Sequence, residues 1–89
     1  MSMIVNLDEV REMNPETQRF IQDMVDMFEN NGLGDYKLNI IPKTTKSFRV
    51  IIDSGNNIYT EEFTAANCKG PSGTFKLASL INYIYMCNM

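Results

Sequence analysis

The stretch YKLNIIPKTTKSFRVIID, residues 36–53, decides the fold class of this chain. Apolar and polar side chains alternate along it, which is the pattern of β-strands that bury one face. The positions that share the apolar face are Tyr36, Leu38, Ile40, Phe48, Val50 and Ile52. The letters PKTTK between the two runs predict a hairpin loop, so we expect antiparallel strands at residues 36–42 and 46–53.

A third strand is predicted at residues 57–63, where IYTEEF follows the turn-forming cluster DSGNN. The three strands then form an antiparallel meander. The pattern leaves open which side of the third strand faces the core, since either Tyr59 and Phe63 or Ile58 and Thr60 can point inward.

Helical periodicity appears on both sides of the meander. Asn14 as an N-cap, Pro15 at the first helical position and Gly32 as a terminator predict a helix over residues 15–31. Its core-facing stripe is Phe20, Ile21, Met24, Met27 and Phe28. A second helix is predicted over residues 72–88, after the loop TAANCKGP, with the stripe Leu77, Leu80, Ile81 and Ile84.

Both helices can cover one face of the sheet, which predicts a two-layer α+β domain of order αβββα spanning residues 1–89. A short additional helix behind Asn6, with Leu7, Val10 and Met13 as its apolar residues, is a further expectation for the N-terminal segment.

Composition narrows the classes of function. The 89 residues are 44% hydrophobic and 21% charged, as in ordinary folded domains, and they include no histidine. Two distant cysteines, Cys68 and Cys87, do not make a zinc site, so we expect neither a metal nor a cofactor. The sequence shows no membrane span or secretion signal, so we expect a cytoplasmic protein with reduced thiols.

The segment GPSGTFKLAS, residues 70–79, resembles the opening of a phosphate-binding loop. A Walker A loop requires a glycine before the lysine and a hydroxyl after it, but this chain has Phe75 and Leu77 there. We therefore expect the segment to begin the last helix rather than to bind a nucleotide. The backbone from Gly70 to Thr74, helped by Lys69 or Lys76, remains open as a simple anion site for a phosphate or a partner's carboxylate.

The net charge of −3 conceals an asymmetry. Residues 1–35 hold eight acidic and two basic side chains, whereas residues 36–89 hold three acidic and six basic ones. Asp23, Asp26 and Glu29 recur every three residues along the first helix. Such a face is either a solubilising surface or a site for a basic protein partner, and we take the partner as the working hypothesis.

The last helix carries more apolar surface than its core stripe requires. The additional side chains are Phe75, Tyr83, Tyr85, Met86 and Met89. Patches rich in tyrosine and methionine favour protein contacts. We expect Tyr83, Met86 and Met89 to meet either a second copy, forming a homodimer, or another partner.

The order helix, three strands, helix is similar to that of double-stranded-RNA-binding domains, and NNGLGDYKL resembles the opening of that family. The resemblance implies nucleic-acid binding, for which Lys37, Lys43, Lys46 and Arg49 around the first hairpin are the candidate contacts. The lysine cluster that this family places on its last helix is reduced here to Lys76. An acidic first helix also repels phosphates, so nucleic-acid binding is the alternative hypothesis.

In size and charge the chain also resembles phage-encoded inhibitors of bacterial defence such as anti-CRISPR proteins. That resemblance implies an inhibitor or adaptor that presents carboxylates to a nucleic-acid-handling protein. Enzymatic catalysis is not expected, because the adjacent Glu61 and Glu62 point to opposite faces of a strand and do not form an acid/base pair.

Overall fold

The computed structural model describes residues 4–5, 11, 13–44 and 46–87. Its elements are, in chain order, β1 (Ile4–Val5), α1 (Pro15–Asn30), β2 (Lys37–Thr44), β3 (Ser47–Asp53), β4 (Ile58–Thr64), α2 (Ala65–Lys69) and α3 (Pro71–Cys87). The α+β class and the three-stranded antiparallel meander predicted from the sequence are confirmed.

The strands follow one another in the sheet in the order β1, β2, β3, β4. The meander is antiparallel throughout, with Val50 opposite Ile40 on one side and Glu61 on the other. The two-residue strand β1 runs parallel to β2 and pairs only with its first residues. In the described part of the chain, β4 therefore has a neighbour on one side only, and its other side is a sheet edge.

The first helix begins and ends as the sequence predicts. The Asn14 side chain accepts a hydrogen bond from the Thr17 amide at 2.8 Å, and Pro15 occupies the first helical position. After the last turn, Gly32 adopts a φ of 81°, a conformation that glycine tolerates and other residues rarely adopt.

One core joins the helices to one face of the sheet. The predicted stripe of α3 is buried, as are Ile21, Met24 and Phe28 of α1. Val25 and Thr17 of α1 are buried too, although the sequence pattern did not assign them to the core. The sheet contributes Leu38, Ile40, Phe48, Val50, Ile52, Tyr59 and Phe63. Tyr59 and Phe63, rather than Ile58 and Thr60, therefore face the core in β4.

Two features differ from the sequence-based expectations. The segment predicted as a loop before the last helix contains the short helix α2, whose five residues are too few to show helical periodicity. Strand β2 continues through Pro42 to Thr44. Strand β1 pairs only with Lys37 and Leu38, so in the described residues the rest of β2 is a sheet edge, where proline is tolerated. The helix predicted behind Asn6 lies largely outside the described residues.

Aromatic rings close the end of the core nearest α2. Phe48 and Phe63 stack with their centroids 5.5 Å apart, and Phe20 tilts against Phe63 at the same distance. The Lys76 ammonium lies 5.2 Å from the centre of the Phe63 ring. This cluster joins α1, the sheet and α3, because α1 supplies Phe20, the sheet supplies Phe48 and Phe63, and α3 supplies Lys76.

Candidate functional site

The acidic face of α1 is the first candidate surface. Asp23 and Asp26 are both exposed, and neither has an ion-pair partner among the described residues. One Asp26 oxygen accepts a hydrogen bond from the Gln22 amide at 3.2 Å, and this contact leaves the carboxylate charge unpaired. The two carboxylates are therefore available to a basic group.

The third predicted member of the acidic face, Glu29, is half-buried. Successive helical residues are rotated by about 100°, so each step of three residues turns a side chain by about 60° relative to the last. Glu29 is consequently rotated by about 120° from Asp23 and turns toward the side of the helix. The structure brings Asp23 and Asp26 together and leaves Glu29 at the margin of the face.

The basic residues of the alternative hypothesis lie around the uncovered sheet face. Lys37, Lys43 and Arg49 occupy the strand positions that alternate with the core residues, and Lys46 lies next to the hairpin turn. The Arg49 guanidinium donates to the Glu62 carboxylate through two nitrogens, at 2.8 and 3.1 Å. This hydrogen bonding, with the attraction of the positive charge, lowers the pKa of the Glu62 carboxyl.

Arg49 is balanced within the sheet by Glu62, whereas Lys43 and Lys46 have no ion-pair partner among the described residues. Besides the Arg49–Glu62 pair, Lys37 lies directly opposite Asp53 in the register of β2 and β3. These features weaken the nucleic-acid hypothesis.

The outer side of α3 is the third candidate surface. Tyr83 and Met86 are 58% and 72% exposed, and Phe75 is exposed near the start of the helix. Tyr85 serves the fold, because its hydroxyl donates a hydrogen bond to the Asn31 carbonyl at the end of α1. Met89 lies outside the described residues.

A groove between β4 and α3 was not predicted from the sequence. It has a volume of about 750 Å³, and its walls include Ile58, Tyr59 and Thr60 from the strand and Ser79, Tyr83 and Cys87 from the helix. Tyr59 is only 6% exposed, and its hydroxyl has no hydrogen-bond partner among the described residues. The sequence does not predict this groove, because its position depends on which strand lies at the sheet edge, and strand order is not visible in the local pattern.

The segment that resembles a phosphate loop forms the junction of α2 and α3. Gly70 ends α2, and α3 begins at Pro71. Gly73 is buried, and a Cβ atom there would lie 2.8 Å from two ring carbons of Phe20 and closer still to the Asn67 carbonyl oxygen. Gly73 therefore permits the close packing of α1, α2 and α3. The Lys76 ammonium, which would help to hold an anion there, is already paired with the Glu61 carboxylate at 3.5 Å.

The two cysteines are free thiols in different surroundings. Burial raises the pKa of the Cys68 thiol, and a hydrogen bond with the Thr17 side chain opposes this shift. Cys87 is exposed beside Tyr83. A hydrogen bond with the Cys87 thiol raises the pKa of the Tyr83 hydroxyl.

Two further observations concern only the described part of the chain. It contains no group of three or more acidic or cysteine side chains placed to hold a metal ion. Nor does any helix within it combine the length and the apolar character needed to cross a membrane.

The comparisons with known proteins gave no relative. No family model matches the chain, and no curated protein or solved structure matches it significantly.

Proposed function

We propose that this protein is a small, non-enzymatic binding module that acts as an inhibitor or adaptor of a basic, nucleic-acid-handling protein. The observation that carries the proposal is the pair of exposed carboxylates on α1, Asp23 and Asp26, which have no ion-pair partner among the described residues. Uncompensated like charges one turn apart reduce helix stability slightly, so a partner's cations would relieve a cost that the free protein bears.

The mode of action would be the one that the resemblance to anti-CRISPR proteins implies. A row of carboxylates on a rigid helix occupies lysine and arginine side chains that otherwise contact phosphates. Electrostatic attraction between the two surfaces would accelerate association and make binding sensitive to salt. Glu29 would contribute from the margin of the face.

The test is affinity capture from a host lysate, with and without nuclease, using the wild-type chain and charge-reversed variants. Asp26→Lys and the double variant Asp23→Lys with Asp26→Lys are expected to lose the captured partner. Asp35→Lys is the matched control, since it makes the same charge change at an exposed site outside α1.

Each outcome discriminates between hypotheses. Capture that survives nuclease and Asp35→Lys but fails with Asp26→Lys supports the acidic face. Capture that disappears with nuclease but survives Asp26→Lys and the double variant shows nucleic-acid binding instead. Binding of the nucleic acid should then depend on Lys43 and Lys46. Equal losses in the Asp26→Lys and Asp35→Lys variants would mean that only net charge matters.

A further inference from the structure

Among the described residues, nothing pairs with the backbone along the N-terminal half of the β4 edge, whereas side chains close its C-terminal half. At its C-terminal half, the Glu62 amide donates to the Glu61 carboxylate at 3.0 Å, and the Thr64 amide donates to the Asn67 side chain at 2.8 Å. The Lys76 ammonium donates to the Glu62 carbonyl. These side chains satisfy backbone groups that a neighbouring strand would otherwise bind.

The same contacts show which residues of β4 direct their backbone groups away from β3. Because Glu62 and Thr64 bond to side chains at the edge, and the Ala65 amide instead reaches the Lys46 carbonyl, the even-numbered residues face outward. In an antiparallel ladder this direction alternates from residue to residue. The N–H and C=O groups of Ile58 and Thr60 therefore point out of the open edge.

The open half of the edge borders the groove between β4 and α3. Ile58, Tyr59 and Thr60 form one wall, and Ser79, Tyr83 and Cys87 of the helix form the other. Its volume of about 750 Å³ lies within the range of ligand-binding clefts. The Tyr59 hydroxyl beside it is buried and has no hydrogen-bond partner within the described ranges, which is unusual for a native polar group.

We propose that this groove binds an extended segment of another protein, which adds to β4 as a fifth strand. Backbone hydrogen bonds to Ile58 and Thr60 would supply affinity, as in other complexes formed by strand addition. The site shares no residue with the acidic face of α1, so it goes beyond the function proposed above.

The lining indicates which side chains the segment would carry. A residue placed opposite Tyr59 points to the same side of the sheet, into the space next to Leu80 and Tyr83, and an apolar side chain fits there. Glu61 also lines the groove. One of its carboxylate oxygens is engaged by Lys76 and the Glu62 amide, and the other favours a basic residue two positions away. Proline is excluded at the positions that donate to β4.

A second copy of this chain suits the groove less well than a peptide. Two copies paired through β4 would be related by a two-fold axis, so each would bring its own α3 to the same side of the sheet. In each copy α3 already stands beside the open edge, where Ser79, Tyr83 and Cys87 line the groove. A single extended segment needs only the width of one strand.

The test uses a display library of random linear peptides of about ten residues, selected on the full chain. Selected peptides are then measured against two matched pairs of variants. Thr60→Pro removes an outward N–H that β3 does not use, and Thr60→Val keeps it. Ser79→Arg fills the groove from the helix, whereas Asn82→Arg places the same side chain at an exposed helical position outside the lining.

The expected peptides contain an apolar residue and a basic residue two positions apart, and bind the wild-type, Thr60→Val and Asn82→Arg chains equally. Binding to Thr60→Pro and Ser79→Arg should be weaker by at least about ten-fold, since a backbone bond and the open space are lost. The Ile58 and Thr60 amides should exchange hydrogen readily in the free protein, because they lie at the open edge. Peptide binding should slow their exchange.

Three results would overturn the proposal. One is a library that yields no peptide whose binding depends on the Thr60 N–H. Another is protection of the Thr60 amide in the free protein, because that amide would then belong to the ladder. The third is a dimer of the wild-type chain that Thr60→Pro dissociates, which would assign the edge to a second copy. Because Asp23 and Asp26 are intact in these variants, failure here leaves the acidic-face proposal untouched.

Discussion

Gly73 stands where α1, α2 and α3 meet, and it is a residue at which a single methyl group should matter. A Cβ atom there would collide with the Asn67 backbone oxygen, which cannot move without displacing α2. We expect Gly73→Ala to lower the free energy of unfolding by roughly 1–3 kcal/mol, as overpacking does in other cores. Chemical denaturation measures the difference. Gly70→Ala is the control, since nothing lies within 4 Å of the position its Cβ would take.

The two thiols should differ in reactivity. A raised pKa leaves less thiolate at a given pH, and thiolate is the reactive form, so Cys68 should be alkylated more slowly than the exposed Cys87 at mildly alkaline pH. The Cys68 rate should continue to rise at pH values above the ordinary thiol pKa. Timed iodoacetamide labelling with mass spectrometry measures both rates, which should converge in denaturant. Equal rates in the folded protein would contradict the assignment.

At the scale of elements, the start of α1 depends on one side chain. Asn14 satisfies the Thr17 amide, which the helix itself leaves without a partner. Asn14→Ala should lower the free energy of unfolding by about 1 kcal/mol, because a lost N-cap typically costs that much. Asn14→Asp should retain most of the stability, since aspartate caps equally well. A denaturant series on the three chains gives the comparison, and equal losses in both variants would contradict the capping role.

Local patterns predicted the main elements because hydrophobic periodicity is a property of neighbouring residues. Alternation identified β2 and β3, and the caps at Asn14 and Gly32 placed α1 to within one residue. The helix α2 was missed, because five residues complete little more than one helical turn and form no stripe. The inward side of β4 also stayed open, since its sequence alternates ambiguously and only packing against Phe48 and α3 decides it.

At the scale of the whole molecule, the sequence predicted which side chains lie outside the core, but not which of them lie next to one another on the surface. The exposure of Asp23, Asp26, Tyr83 and Met86 followed from helical phase. The groove did not, because it requires knowing that β4 lies at the sheet edge and that α3 stands beside it. Strand order is a long-range property, and residues 58–60 carry no local sign of it.

The exposed patch on α3 leads to a prediction about assembly. Tyr83 and Met86 are largely exposed, and covering a side chain of that size contributes roughly 1.5–3 kcal/mol. Burial of two such side chains from each copy must offset the translational and rotational entropy that is lost when two chains associate. The area that they bury is far smaller than that of a standard protein–protein interface. We therefore predict a weak homodimer through α3, with a dissociation constant on the order of 100 µM or above.

Sedimentation over a concentration series tests this prediction. The wild-type mass should rise with concentration, and Tyr83→Ser combined with Met86→Ser should remain monomeric. Thr60→Pro is the informative control, because it blocks the edge of β4 and leaves the helix patch intact, so its association should match that of the wild type. Wild-type chains that stay monomeric at the highest concentration would mean that Tyr83 and Met86 serve a different partner. The groove that Tyr83 lines would then be the nearest surface for that partner to use.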